Sequence, residues 1–122
     1  MPVDKQSPSF VRLRVLAEHN SDYNVCVATC LETGSVVTAD DETTVVDMMK
    51  ELLEDEISFA VRHRNYANLL SSPASADVWA RWFLAAKQCE VETLTLNIDA
   101  AEVRLDKNVP SRSDLEVARV CN

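Results

Sequence analysis

The residues with metal or nucleophile chemistry are few: Cys26, Cys30, Cys89, Cys121, His19 and His63. Zinc ribbons hold their ion with paired C-x2-C knuckles. Here Cys26 and Cys30 stand four apart, and the other two cysteines are remote. In an extended segment that spacing places both thiols on one face, about 13 Å apart at ~3.3 Å per residue. That is too far for a disulfide with each other. Alternating cysteines in a strand usually act as apolar filler, so four reduced thiols and no metal are expected. No G-x-S-x-G, H-E-x-x-H or Gly-rich phosphate loop occurs. The lone glycine, Gly34, cannot build a cradle that needs several. His19 falls in a turn and His63 at a helix end, where it suits carbonyls better than proton transfer. No enzyme and no cofactor are expected.

Two constellations suit contact instead of chemistry. Residues 40–56 carry eight acids against Lys50 alone, a balance of −7 out of a net −8 for the chain. On a helical wheel Asp47, Glu51, Glu54 and Asp55 lie largely opposite an apolar stripe, at helix-neighbour spacing. Such a row commonly forms a solvated, dipole-friendly face. It can equally act as an electrostatic patch that steers and holds a basic partner. The second constellation is Trp79-x-x-Trp82-Phe83, which gathers both tryptophans within five residues. Helical spacing makes these core residues first, and a helix this aromatic is expected to pack on another subunit as well.

The elements that must position these groups follow from periodicity. Residues 1–8 read as a polar leader. Phe10 to Glu18 alternates, with Val11, Leu13, Val15 and Ala17 on one face, and predicts a strand. His19 to Asp22 is a turn, and Tyr23 to Leu31 is the second strand of a hairpin. Gly34 sits in Glu32-Thr33-Gly34-Ser35, where a reversal requires φ > 0, and Val36 to Thr38 forms a third strand. Asp40 and Asp41 are helix caps. Val46, Met49, Leu53, Ile57 and Ala60 then recur at helical spacing, with Val45, Met48, Leu52 and Phe59 widening the stripe, so residues 41–62 form a long amphipathic helix. Ser72 and Pro73 open a short aromatic helix. Glu90 to Ile98 returns to strand pattern, and the alternation flips at Asp99-Ala100 into a further strand through Ala101, Val103 and Leu105. In the tail, 107–122, the capping-box match Ser113-Asp114-Leu115-Glu116 predicts one short helix.

The fold class is therefore α+β: a single domain over 9–106 with a mostly antiparallel sheet in the order β-β-β-α-α-β-β. The 41–62 helix lies across one face. Val11, Leu13, Val15, Val25, Val27, Val46, Met49, Leu53, Ile57, Leu94 and Leu96 are expected to dominate the core. At 122 residues and 47% hydrophobic content, one core can form without metal or disulfide. An acidic domain lacks the electrostatic term that drives nucleic-acid binding. No apolar run resembles a secretory leader or a membrane span, so a cytoplasmic location is expected.

The stretch from Tyr23 to Val61, with Gly34 at the turn, Thr38-Ala39-Asp40-Asp41 at the cap and Val46, Met49 and Leu53 facing inward, resembles the core of HicB-like antitoxin domains. The strand from Phe10 to Ala17 extends the likeness, and the Trp-bearing segment with the strand after it is similar to longer stand-alone members. Two positions depart from the family: Glu32-Thr33 replaces a Pro-rich turn, and Ala39-Asp40 replaces Gly-Asp. The resemblance implies an oligomeric module that binds a small basic RNase-type toxin and lacks the usual DNA-binding extension. Open sheet edges predict a homodimer or larger even assembly. The alternative is an orphan oligomeric scaffold, or a binder of small ligands between the aromatic helix and the sheet.

Overall fold

The computed structural model describes residues 10–63, 66–97 and 112–120. Its spine is the strand β1 (Phe10–Asn20), followed by β2 (Val25–Cys30), β3 (Val36–Ala39), α1 (Glu42–Arg62), α2 (Tyr66–Leu69), α3 (Ala76–Gln88), β4 (Val91–Leu96) and β5 (Arg112–Arg119). The strands form one sheet in the order β3-β2-β1-β5-β4. Neighbours run antiparallel except β1 and β5, which are parallel. The fold is α+β, with α1 packed on the sheet.

Alternation along β1 decides what lies on each face. Leu13, Val15 and Ala17 point to α1, whose Val45, Val46, Met49, Leu53 and Ile57 complete a buried cluster with Leu115 and Val117 of β5. Leu16 points the other way and joins Leu31, Ala118, Trp82 and Ala85 beneath α3. Both faces are therefore covered, not one. The register Val15↔Cys30, Ala17↔Ala28 and His19↔Cys26 places the even-numbered residues of β2 under α1. Cys26, Ala28 and Cys30 are buried there, while Val25 and Val27, expected in the core, are half-buried on the opposite face. Small side chains let the helix lie close to the strand, which outweighs the greater hydrophobicity of valine. Val11 pairs in register with Ser113 of β5, and its side chain lies outside the described residues.

The tail is a further correction. Arg112–Arg119 is a strand and not a helix, and it belongs to the sheet. β2 takes one edge of β1, so the opposite edge of the same strand needs another partner. β5 supplies it, matching Phe10–Ala17 residue for residue. Leu115 and Val117 alternate with Asp114 and Glu116, and that period of two prevails over the local capping signal. The strand expected through Ala101, Val103 and Leu105, with the flip at Asp99-Ala100, lies outside the described residues, as does the leader 1–8.

Local chemistry sets the remaining boundaries. Asp41 caps α1 by accepting from the backbone N–H of Thr44 at 2.7 Å and from its hydroxyl at 2.9 Å. Those bonds hold its carboxyl below the usual carboxylate range. Gly34 has φ +78°, and an added Cβ would strike the carbonyl oxygen of Ser72. The N–H of Ala74 meanwhile donates to the carbonyl of Leu31 at 2.8 Å. Residues 72–74 are thus held against the β2–β3 turn, and α3 starts at Ala76 with Ser75 as its cap. This displaces the start expected at Ser72-Pro73.

Candidate functional site

Seven of the eight acids of residues 40–56 separate into two groups. Four serve the fold itself. Asp41 caps α1, and Glu42 pairs with Arg119 at 2.6 Å. Glu56 accepts from the hydroxyl of Ser35 at 2.8 Å. Glu54 receives the ammonium of Lys50 at 2.8 Å and the backbone N–H of Asn97 at 2.7 Å, which ties α1 to the end of β4. Glu54, expected among the partner-binding acids, is therefore held within the molecule. Asp47, Glu51 and Asp55 are exposed along α1, and among the described residues no cation pairs with them.

Beside that row runs an apolar strip. Met48 is 42% exposed and Phe59 57%, with Leu52 half-buried between them. The periodicity assigned these three to the edge of the core stripe. At 100° per residue, however, Met48 and Phe59 fall within about 40° of Asp55, and that proximity was the signal for their exposure. Near the C-terminal end of α1 the strip opens into a cleft of about 350 Å³ between α1 and α2, lined by Asp55, Glu56, Phe59, Ala60, Asn68 and Leu69. The imidazole of His63 packs on Phe59 with ring centroids 4.1 Å apart.

The aromatic helix has a different disposition. Trp82 is 5% exposed, and its indole N–H donates to the carbonyl of Val15 at 3.0 Å. The Arg14 guanidinium lies 5.6 Å from the Trp79 ring centroid, 5.7 Å from that of Trp82 and 5.8 Å from that of Phe83, all within cation–π range. Its other side meets Glu32 at 2.6 Å. Arg81 anchors the outside of α3 through Glu18 at 2.6 Å and Asp77 at 3.2 Å. Of the three residues expected at an oligomer interface, Trp82 is buried against its own sheet and Trp79 is half-buried. Phe83 remains 52% exposed, beside Leu84 at 55%.

The cysteines divide as well. Cys26 and Cys30 are buried free thiols, and burial pushes the Cys30 thiol from its ordinary 9.0 up to about 11. Cys89, at the C-cap of α3, is disulfide-bonded, so the expectation of four reduced thiols is corrected. Only the Cys26–Cys30 spacing bears on a local pairing, and sequence spacing says nothing about which remote cysteine Cys89 can reach. Among the described residues no cluster of three or more His, Cys, Asp or Glu is arranged to hold a metal ion, and no helix is long and apolar enough to cross a membrane.

No protein-family model, curated protein or solved structure matches the chain.

Proposed function

We propose that this protein is a non-catalytic binding module whose α1 outer face receives a small basic protein. One observation carries the reading: Asp47, Glu51 and Asp55, unpaired among the described residues, lie along the same helix flank as exposed Met48 and Phe59. An acidic row beside exposed apolar side chains suits a cationic protein surface, with charge steering the encounter and apolar burial slowing release. The resemblance of Tyr23–Val61 to HicB-like antitoxin domains supports the same class of partner, a small basic RNase-type toxin. The test is co-expression with the products of the adjacent reading frames, followed by titration of any small basic protein that co-purifies with this chain. A salt-sensitive complex weakened by Asp47→Asn, Glu51→Gln and Asp55→Asn together is expected. No complex, or one indifferent to that triple change, overturns the proposal.

A second reading, self-assembly, draws on the outer edges of β3 and β4, which no described strand covers, and on exposed Phe83 and Leu84. Unpaired edges of this kind recruit further strands. Light scattering at micromolar concentration is expected to give an even multiple of the chain mass, and a strict monomer excludes this reading.

A further inference from the structure

We infer that the partner element seated on α1 is a basic amphipathic helix, lying along the Met48–Leu52–Phe59 strip with a Lys or Arg opposite Asp55. This deepens the proposed function and rests on it. Positions 48, 52, 55 and 59 follow the alternating spacing of three and four residues that forms a helix-docking seam. Met48, Leu52 and Phe59 supply its apolar positions, and Asp55 interrupts them with a charge. The strip spans about 16 Å at 1.5 Å per residue, which is three turns of a facing helix. Helix-in-groove recognition uses anchors at this spacing.

Charge decides between occupants. A second copy of α1 on this strip would bring the acidic row of one protomer against that of the other, and like charges across an interface are strongly disfavoured. A helix with apolar anchors flanked by Lys or Arg meets Glu51 and Asp55 with opposite charge. The cleft at the end of the strip, about 350 Å³, stands at the small end of the range for ligand pockets, roughly 300–1,000 Å³. It suits one or two large side chains from such a helix. Its lining combines apolar Phe59, Ala60 and Leu69 with the carboxylate-bearing Asp55, which matches a side chain with an apolar stem and a cationic tip.

The probe is a synthetic peptide of about 18 residues, long enough for the strip and one further turn at each end. It carries Leu at the seam, Lys on the flanks and Lys opposite Asp55, and its binding to the full chain is followed by fluorescence anisotropy. Scrambled and Glu-substituted versions are the controls. The patterned Lys peptide is expected to bind at least tenfold tighter than its scramble. Phe59→Ser, shown by circular dichroism to be folded, is expected to lose at least tenfold. Asp55→Lys is expected to prefer a peptide with Glu at the facing position. Equal binding of patterned and scrambled peptides, indifference to Phe59→Ser, or no binding of the patterned peptide overturns the inference. Equal binding that still depends on Asp47, Glu51 and Asp55 would leave the basic-partner reading intact while removing the helix from it.

Discussion

Trp82 and Val15 stand 67 residues apart in the chain, yet the indole N–H of one donates to the main-chain carbonyl of the other at 3.0 Å. The bond fastens α3 to the middle of the central strand and commits one of the helix's two tryptophans to the interior. Trp82→Ala is expected to cost about 3–5 kcal/mol, and Trp82→Phe about 1–3 kcal/mol. Denaturant unfolding reads both. If Trp82→Ala left stability unchanged and altered only the state of assembly, Trp82 would belong to an interface instead.

Gly34 meets two independent demands, a φ of +78° and the close carbonyl of Ser72. A side chain there faces left-handed strain of about 1–2 kcal/mol and overpacking of about 1–3 kcal/mol. Gly34→Ala is expected to lower stability by about 2–5 kcal/mol in thermal or denaturant melts. A loss under about 0.5 kcal/mol, the ordinary surface value, would show that the 72–74 segment does not press on the turn.

Glu54 and Glu51 separate structure from recognition on a single helix. Glu54→Ala removes the acceptor for Lys50 and for the N–H of Asn97, and is expected to destabilise by about 1–2 kcal/mol. Glu51→Ala is expected to stay within about 0.5 kcal/mol while weakening partner binding. Chemical denaturation of the two variants, alongside titration with the basic partner, checks the crossing. Equal stability of the two variants would refute the assigned division of labour.

Cys30 links pH to stability. Burial raises its thiol from 9.0 to about 11, so the folded state keeps a proton that the unfolded chain releases first. That contribution is complete below pH 9 and disappears as pH rises through about 11. The loss is on the order of 2–3 kcal/mol, at ~1.4 kcal/mol per pH unit. Comparing the pH dependence of unfolding for wild type and Cys30→Ala isolates it. Parallel curves between pH 9 and 11 would mean that the thiol ionises as freely in the folded protein as in the unfolded one.

The long helix and the hairpin were legible because their signals are local. Val46, Met49, Leu53 and Ile57 repeat at helical spacing, and all four are buried. Asp41 caps where it was expected to, and Gly34 takes the positive φ. What stayed hidden depends on distant partners. β5 carries a capping-box pattern, and only the open edge of β1 opposite β2 makes it a strand. The buried face of β2 was misassigned because hydrophobicity favours Val25 and Val27, whereas register favours Cys26, Ala28 and Cys30. At the candidate site, exposure of Asp47, Glu51 and Asp55 followed from the wheel. The internal role of Glu54 did not, since Asn97 lies 43 residues away.

The most direct test is titration of the small basic protein captured by co-purification, with wild-type chain and with the Asp47→Asn, Glu51→Gln, Asp55→Asn variant, at low and high salt. At roughly 0.5 kcal/mol per exposed ion pair, the variant is expected to bind about tenfold more weakly. Added salt should narrow that gap. Equal affinities for the two proteins at low salt would contradict the assignment of α1 as the recognition surface.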